Sequence, residues 1–354
     1  MIVGFLNEAH DGARHRDDKV IIDVIFQNGK PVVERQKCPC ILLSQALIEN
    51  IFNMLFKDFN EPMLRLVFEE LAAVPSDVVG NMAENAFVAV TDRGRVVTWG
   101  DREEGMDSSR VAGALASGVQ SVAATDRAFA AVTEVGKVVT WGDGGQGGDS
   151  SSVERELASG VAEVVATGYA FAAVTDRGRV VTWGMAPYGG NSSQVAGELE
   201  SGVVVVVATR FAFAALKEDG HVVTWGNAVR GGDSSRVARQ LASGVERVVA
   251  TRYSFAAIKE SGRVVTWGGA KHGGDSSRVT GALEGGVVDV VATKGAFAAV
   301  VEGGRVVTWG YERWGGDSSA VEEELEGGVV KVESVSKFKF AALKDDGSVV
   351  EWGK

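Results

Sequence analysis

The sequence predicts an all-β protein: a seven-bladed β-propeller of 42-residue repeats with short helical or edge-strand linkers, preceded by a small α+β segment. Three observations predict it. A Trp-Gly dipeptide recurs at Trp99, Trp141, Trp183, Trp225, Trp267, Trp309 and Trp352, spaced by 42 residues five times and then by 43. Two β-rich runs precede each tryptophan, separated by a short glycine-containing turn. The 46 glycines stand against five prolines without a three-residue period, which calls for many tight turns.

Each unit reads alike from its first element onward. In the third, Val164-Val165-Ala166-Thr167 is a short, β-branched run, and Ala170-Phe171-Ala172-Ala173-Val174-Thr175 follows it. The phenylalanine recurs as Phe87, Phe129, Phe213, Phe255, Phe297 and Phe340. An acidic-x-Gly turn, Asp176-Arg177-Gly178, leads into Arg179-Val180-Val181-Thr182-Trp183. Each unit is therefore at least a three-stranded antiparallel meander. The alanine-rich second strand is expected at the crowded centre of the ring.

Between units lie stretches such as Asp233-Ser234-Ser235-Arg236-Val237-Ala238-Arg239-Gln240-Leu241. Asp and Ser suit a helix start, and Val237 and Leu241 share one face four residues apart. A helical turn is favoured here over an outer edge strand. Six such linkers follow the first six Trp-Gly pairs and none follows the seventh. The segment 61–73, with Val67 and Leu71 four apart, is expected to take the seventh linker position and join the ends of the domain. A linear solenoid of the same units would need repeats with polar outer faces at its ends, and no such cap is read in the last unit. The domain is placed at 76–354.

Residues 1–75 lie outside the repeat. Val20 to Glu34 reads as a hairpin around Asn28-Gly29, and Ser44 to Phe59 as a helix. The segment is expected to dock on the propeller or to contribute to ring closure.

The repeat resembles those of the regulator-of-chromosome-condensation family. Its blades carry a small-residue strand followed by a turn of the Asp-Gly type and a terminal Trp-Gly. Lys217-Glu218-Asp219-Gly220-His221-Val222-Val223-Thr224-Trp225-Gly226 and Lys344 to Gly353 carry the likeness most closely. The resemblance covers roughly residues 76–354 and implies a seven-bladed propeller with four-stranded blades. These units are shorter than the family's, lack its Gly and His before the second strand, and replace its stretch after Trp-Gly by Gly-Gly-Asp-Ser-Ser. None of the family's individual activities can be carried over residue by residue.

Strand direction places two loops on one rim: the pair before each Phe and the stretch after each Trp-Gly. These are the places where units differ, and loops on a rigid scaffold are where binding residues usually sit. Units four to six supply Arg210, Phe211, Arg230, Arg252, Tyr253, Lys271, His272, Lys294, Arg313 and Trp314. The first unit supplies Glu84, Asp101, Glu103 and Glu104. A basic arc with interleaved aromatics, on a chain of net charge −11, suits an acidic segment of a protein partner better than nucleic acid.

The repeat tryptophans read as core packing rather than photochemistry or ligand stacking, and Trp314, which breaks the pattern, as the better interface residue. His10, His15, Cys38 and Cys40 lack the usual zinc spacing, so no metal or cofactor is expected. The four histidines, His10, His15, His221 and His272, fall in unrelated contexts, and no nucleophile motif or phosphate loop occurs. The chain therefore reads as non-enzymatic, a protein-binding scaffold. A nucleotide-exchange factor for a small GTPase is the alternative, opposed by the lack of an insertion long enough for a wedge. A purely structural or oligomer-forming propeller is the third reading. With two cysteines, no leader pattern and no long apolar run, an intracellular and soluble setting is expected.

Overall fold

The computed structural model describes residues 2–5, 21–27, 30–35, 75–80, 86–91, 93–100 and 107–354. Eight three-stranded antiparallel meanders form. The first joins β1 (Ile2–Phe5), β2 (Ile21–Gln27) and β3 (Lys30–Arg35). Gln27 pairs with Lys30, so the hairpin expected around Asn28-Gly29 has its two strands in register. The helix expected at 44–59, the linker helix at 61–73 and the His/Cys group lie outside the described residues.

The other seven meanders are the blades of a seven-bladed β-propeller. Blade one holds Pro75–Gly80, Ala86–Thr91 and Val96–Gly100; blade two holds Val119–Ala124, Ala128–Thr133 and Val138–Gly142. Blade three holds Val161–Ala166, Ala170–Thr175 and Val180–Gly184, and blade four Val203–Ala208, Ala212–Lys217 and Val222–Gly226. Blade five holds Val245–Ala250, Ser254–Lys259 and Val264–Gly268. Blade six holds Val287–Ala292, Ala296–Val301 and Arg305–Gly310, and blade seven Val329–Ser336, Lys339–Lys344 and Val349–Gly353. The four-stranded blade implied by the family resemblance is not what forms. The linker instead coils into 3₁₀ turns, extended by one α-turn at Ala238–Leu241 and Glu322–Leu325. Its Asp makes an Asx turn, as Asp233 Oδ1 accepts from the Ser235 amide at 2.9 Å, and that local bond competes with strand pairing. Leu241 is then buried beneath the turn.

Blade-to-blade packing sets large residues on small ones. Phe213, Val223 and Trp225 of blade four lie against Ala170, Ala172 and Val174 of blade three. The same cluster recurs at every junction from one–two to six–seven. The alanine strand is thus the middle of each blade, not the lining of the axis as expected. Its small side chains let the next blade's Phe approach face to face, while the first strands line the axis. The tryptophans from Trp183 to Trp352 reach back one unit, as expected of packing residues: Trp267 Nε1 donates to Gly231 O at 3.0 Å. Gly231 holds a φ of 108°, and a Cβ there would sit 2.5 Å from the Phe255 ring. The glycine is needed for both reasons.

Blade seven differs on its far face. In blade six Ala296, Ala298, Val300 and Val306 are covered by blade seven. At the matching positions of blade seven stand Lys339, Ala341, Leu343 and Val349, and Leu343 and Val349 are 41% and 60% exposed. Glu333 and Glu351 flank Ala341 across the sheet. Glu351 takes the place of the threonine whose hydroxyl meets a linker serine in other blades, as Thr308 meets Ser318 at 2.9 Å. A polar far face is therefore present in the last unit, although none is apparent from its motif alone.

Candidate functional site

Hydrogen bonds bring the two variable loops together on one face. In blades two to six the first residue after Trp-Gly donates its amide to the loop before Phe, as Asn227 does to Phe211 O at 2.9 Å and Tyr311 to Gly295 O at 2.8 Å. A buried threonine pins the inner loop. Thr209 Oγ1 accepts from the Ala212 amide at 2.9 Å and lies 3.3 Å from the Arg230 carbonyl, to which it donates. Thr167, Thr251 and Thr293 repeat the arrangement.

Pinning makes the two loop residues face different ways. The first of each pair joins a backbone column along the axis. Its successive bonds run from Asp126 N–H to Gly168 O, from Gly168 to Arg210, from Arg210 to Arg252, from Arg252 to Lys294 and from Lys294 to Lys337, at 2.8 to 3.1 Å. Arg210 is ion-paired with Asp126, two blades away. Arg210, Arg252, Lys294 and Lys337 line a cavity of about 490 Å³ at the axial mouth.

In blades three, four, five and seven the second residue of the pair points outward and stacks. Tyr169, Tyr188, Phe211, Tyr253, His272, Tyr311, Trp314 and Phe338 form one continuous ribbon, with successive centroids 4.3 to 5.9 Å apart. Arg230 lies over the Tyr253 ring at 4.7 Å and Arg252 at 5.9 Å. Arg210 lies over Tyr169 at 5.7 Å, and Lys294 over Phe338 at 6.0 Å. These are cation–π distances. Lys271 and Arg313 are exposed on the outer turns, with no ion pair among the described residues.

The ten residues singled out from sequence thus divide. Arg210, Arg252 and Lys294 belong to the mouth, Phe211, Tyr253, His272 and Trp314 to the ribbon, and Arg230, Lys271 and Arg313 to its outer flank. Trp314 owes its position to a glycine: a Cβ on Gly295 would lie 2.4 Å from its ring, so the indole fills a place that other units give to an aromatic of the inner loop. It is half-buried there, a ribbon member as much as an exposed contact. Sequence reasoning passed over Tyr311, Phe338 and Lys337. The one-residue insertion in the last unit hides the latter two from a fixed 42-residue comparison. The acidic residues Glu84, Asp101, Glu103 and Glu104 lie outside the described residues.

The electrostatics follow the geometry. Burial, then the charges of Arg230 and Lys271, hold His272 below its ordinary value, so it is neutral at neutral pH. Burial and the neighbouring Arg210 likewise lower Lys294. No group of three or more His, Cys, Asp or Glu able to hold a metal occurs among the described residues. Among them, too, no helix is long and apolar enough to cross a membrane.

No family model matches the chain. No curated protein matches it in sequence. Solved structures do resemble it. Human WBSCR16 is 15% identical over 74% of this chain and 84% of its own, with a TM-score of 0.44. Prp20p from Saccharomyces cerevisiae, whose binding to Gsp1p and histones was studied with its structure, is 15% identical over 66% and 72%, at 0.40. The ectodomain of the receptor kinase CR4 from Physcomitrella patens is 14% identical over 76% and 70%, at 0.38. At these values the propeller assignment rests on the chain's own seven repeated sheets.

Proposed function

We propose that the loop face binds an acidic, extended segment of a protein partner, with the aromatic ribbon as its bed and Arg230, Lys271 and Arg313 along its flank. The observation that carries this reading is the ribbon itself: eight rings in unbroken contact across five blades, crossed by cations. Rigid aromatics with nearby arginine are the residues that dominate binding energy at protein interfaces. The chain's net charge of −11 makes a local run of basic loops a selective feature, because the rest of the surface repels acidic partners.

The test is affinity capture from native lysate followed by mass spectrometry. The intact chain is compared with the triple variant Arg230→Glu, Lys271→Glu, Arg313→Glu, whose fold is checked by its melting curve. Partners rich in Asp and Glu are expected with the intact chain and absent with the variant. An identical set of partners from both would overturn the reading.

A further inference from the structure

The axial mouth is a different place from the ribbon. Its four basic residues come from the inner loops of consecutive blades and are fixed by one backbone column, in the order Arg210, Arg252, Lys294, Lys337. Direct amide-to-carbonyl bonds between blades hold neighbouring steps at about the 4.8 Å spacing of paired strands. Like charges carried on neighbouring steps repel, and more strongly where water is partly excluded. Asp126 answers one of them, Arg210. Arg252 and Lys294 have an aromatic face beside them but no carboxylate among the described residues.

Burial and the charge of Arg210 both lower Lys294, which marks a place short of negative charge. The walls below offer no remedy. They are Ala208, Ala250 and Ala292, with hydroxyls that are already engaged: Thr251 donates to Ser254 O and His272 O, Ser334 donates to Ser336 O, and Ser336 accepts from the Phe338 amide. Bringing Arg252 and Lys294 together thus costs the fold something that no ion pair to them among the described residues offsets, which argues against a purely structural purpose.

We propose that this mouth is a binding site for a compact anion carrying clustered phosphate groups. Consecutive cations one blade apart match several anionic groups set close together on a small frame, rather than a single carboxylate. Arginine adds bidentate recognition of each phosphate. The cavity of about 490 Å³ admits a small polyphosphorylated molecule but no folded domain. The same chemistry is offered by a free polyphosphorylated compound and by adjacent phosphorylated side chains. This site is independent of the partner bound by the ribbon.

Calorimetric titration of the full chain tests it, with inositol hexakisphosphate as probe, at about 50 and 200 mM salt. One-to-one binding that weakens with salt is expected. The double variant Arg252→Gln, Lys294→Gln should lose at least about tenfold in affinity with no fall in its melting temperature. A control that removes equal charge from an outer linker, Arg236→Gln with Arg239→Gln, should stay within about twofold. The triple variant of the ribbon flank should likewise retain binding, which separates this site from the partner reading. Equal loss in the mouth and linker variants, or no saturable binding at low salt, would overturn the proposal. A peptide with two adjacent phosphoserines serves as second probe: tighter binding than the inositol compound assigns the site to phosphorylated protein, and weaker binding to a free molecule.

Discussion

Blades two to six and blade seven are built from one sequence pattern, yet their far faces have opposite fates. In blade six Ala298 and Val300 are covered, at 0% and 5% exposure, whereas Leu343 of blade seven, in the place of Val300, is 41% exposed. The difference lies in three substitutions around them. Lys339, Glu333 and Glu351 stand where blade six has Ala296, Val291 and Thr308. The alanines of the middle strand are small because a phenylalanine from the next blade must lie flat on them. Where no described blade does so, the same face accepts charge. Both blades form the same three paired strands, so what separates them is packing.

Breaking a junction between covered faces should have the largest effect. Phe255 is fully buried against Ala212 and Ala214 of blade four, and Phe255→Ala is expected to cost about 3–5 kcal/mol in urea unfolding. A loss of under about 1 kcal/mol would mean that the junction is held by something else. A matched pair sharpens the contrast. Ala298→Leu overfills the six–seven junction and should cost about 1–3 kcal/mol. Ala341→Leu, at the matching place on the open face, should stay within about 0.5 kcal/mol. Equal costs would show that the far face of blade seven is covered in solution.

The smallest effect is a pH dependence that belongs to the ribbon. His272 is lowered relative to the unfolded chain by burial and by Arg230 and Lys271, so its neutral form is favoured by folding. The stability it contributes is complete above the ordinary histidine value and is lost as pH falls below it. The urea midpoint should therefore decline between about pH 7 and 5, and His272→Asn should flatten that decline. The linker aspartates are lowered from 3.8 by the amides and hydroxyls of their serines, and titrate below this window.

The candidate site was only half legible from sequence. Variable loop positions were visible by comparing units, and strand direction put both loops on one rim. What could not be read was the division of neighbouring residues such as Arg252 and Tyr253 between mouth and ribbon. That division depends on Thr251 locking the loop and on the amide of Arg252 finding a carbonyl in the next blade. The second joins neighbouring blades, and Thr251 also reaches the His272 carbonyl, 21 residues on. Asp126 is the clearest case, since its partner lies 84 residues away and no spacing rule connects them.

The sequence by itself determined the repeat, its three strands and the position of each turn, because period-two patterning, glycine and the Asp-Ser cap are local signals. It also determined that Trp and Phe would build the core, since large aromatics at fixed repeat positions can be accommodated only by burial. Tertiary structure alone decided that alanine receives the next blade rather than lining the axis and that four cations line up at one mouth. The reason is common to both. Each is settled by what the neighbouring blade presents, and a neighbour one repeat away in sequence becomes a neighbour in space only when the chain has folded.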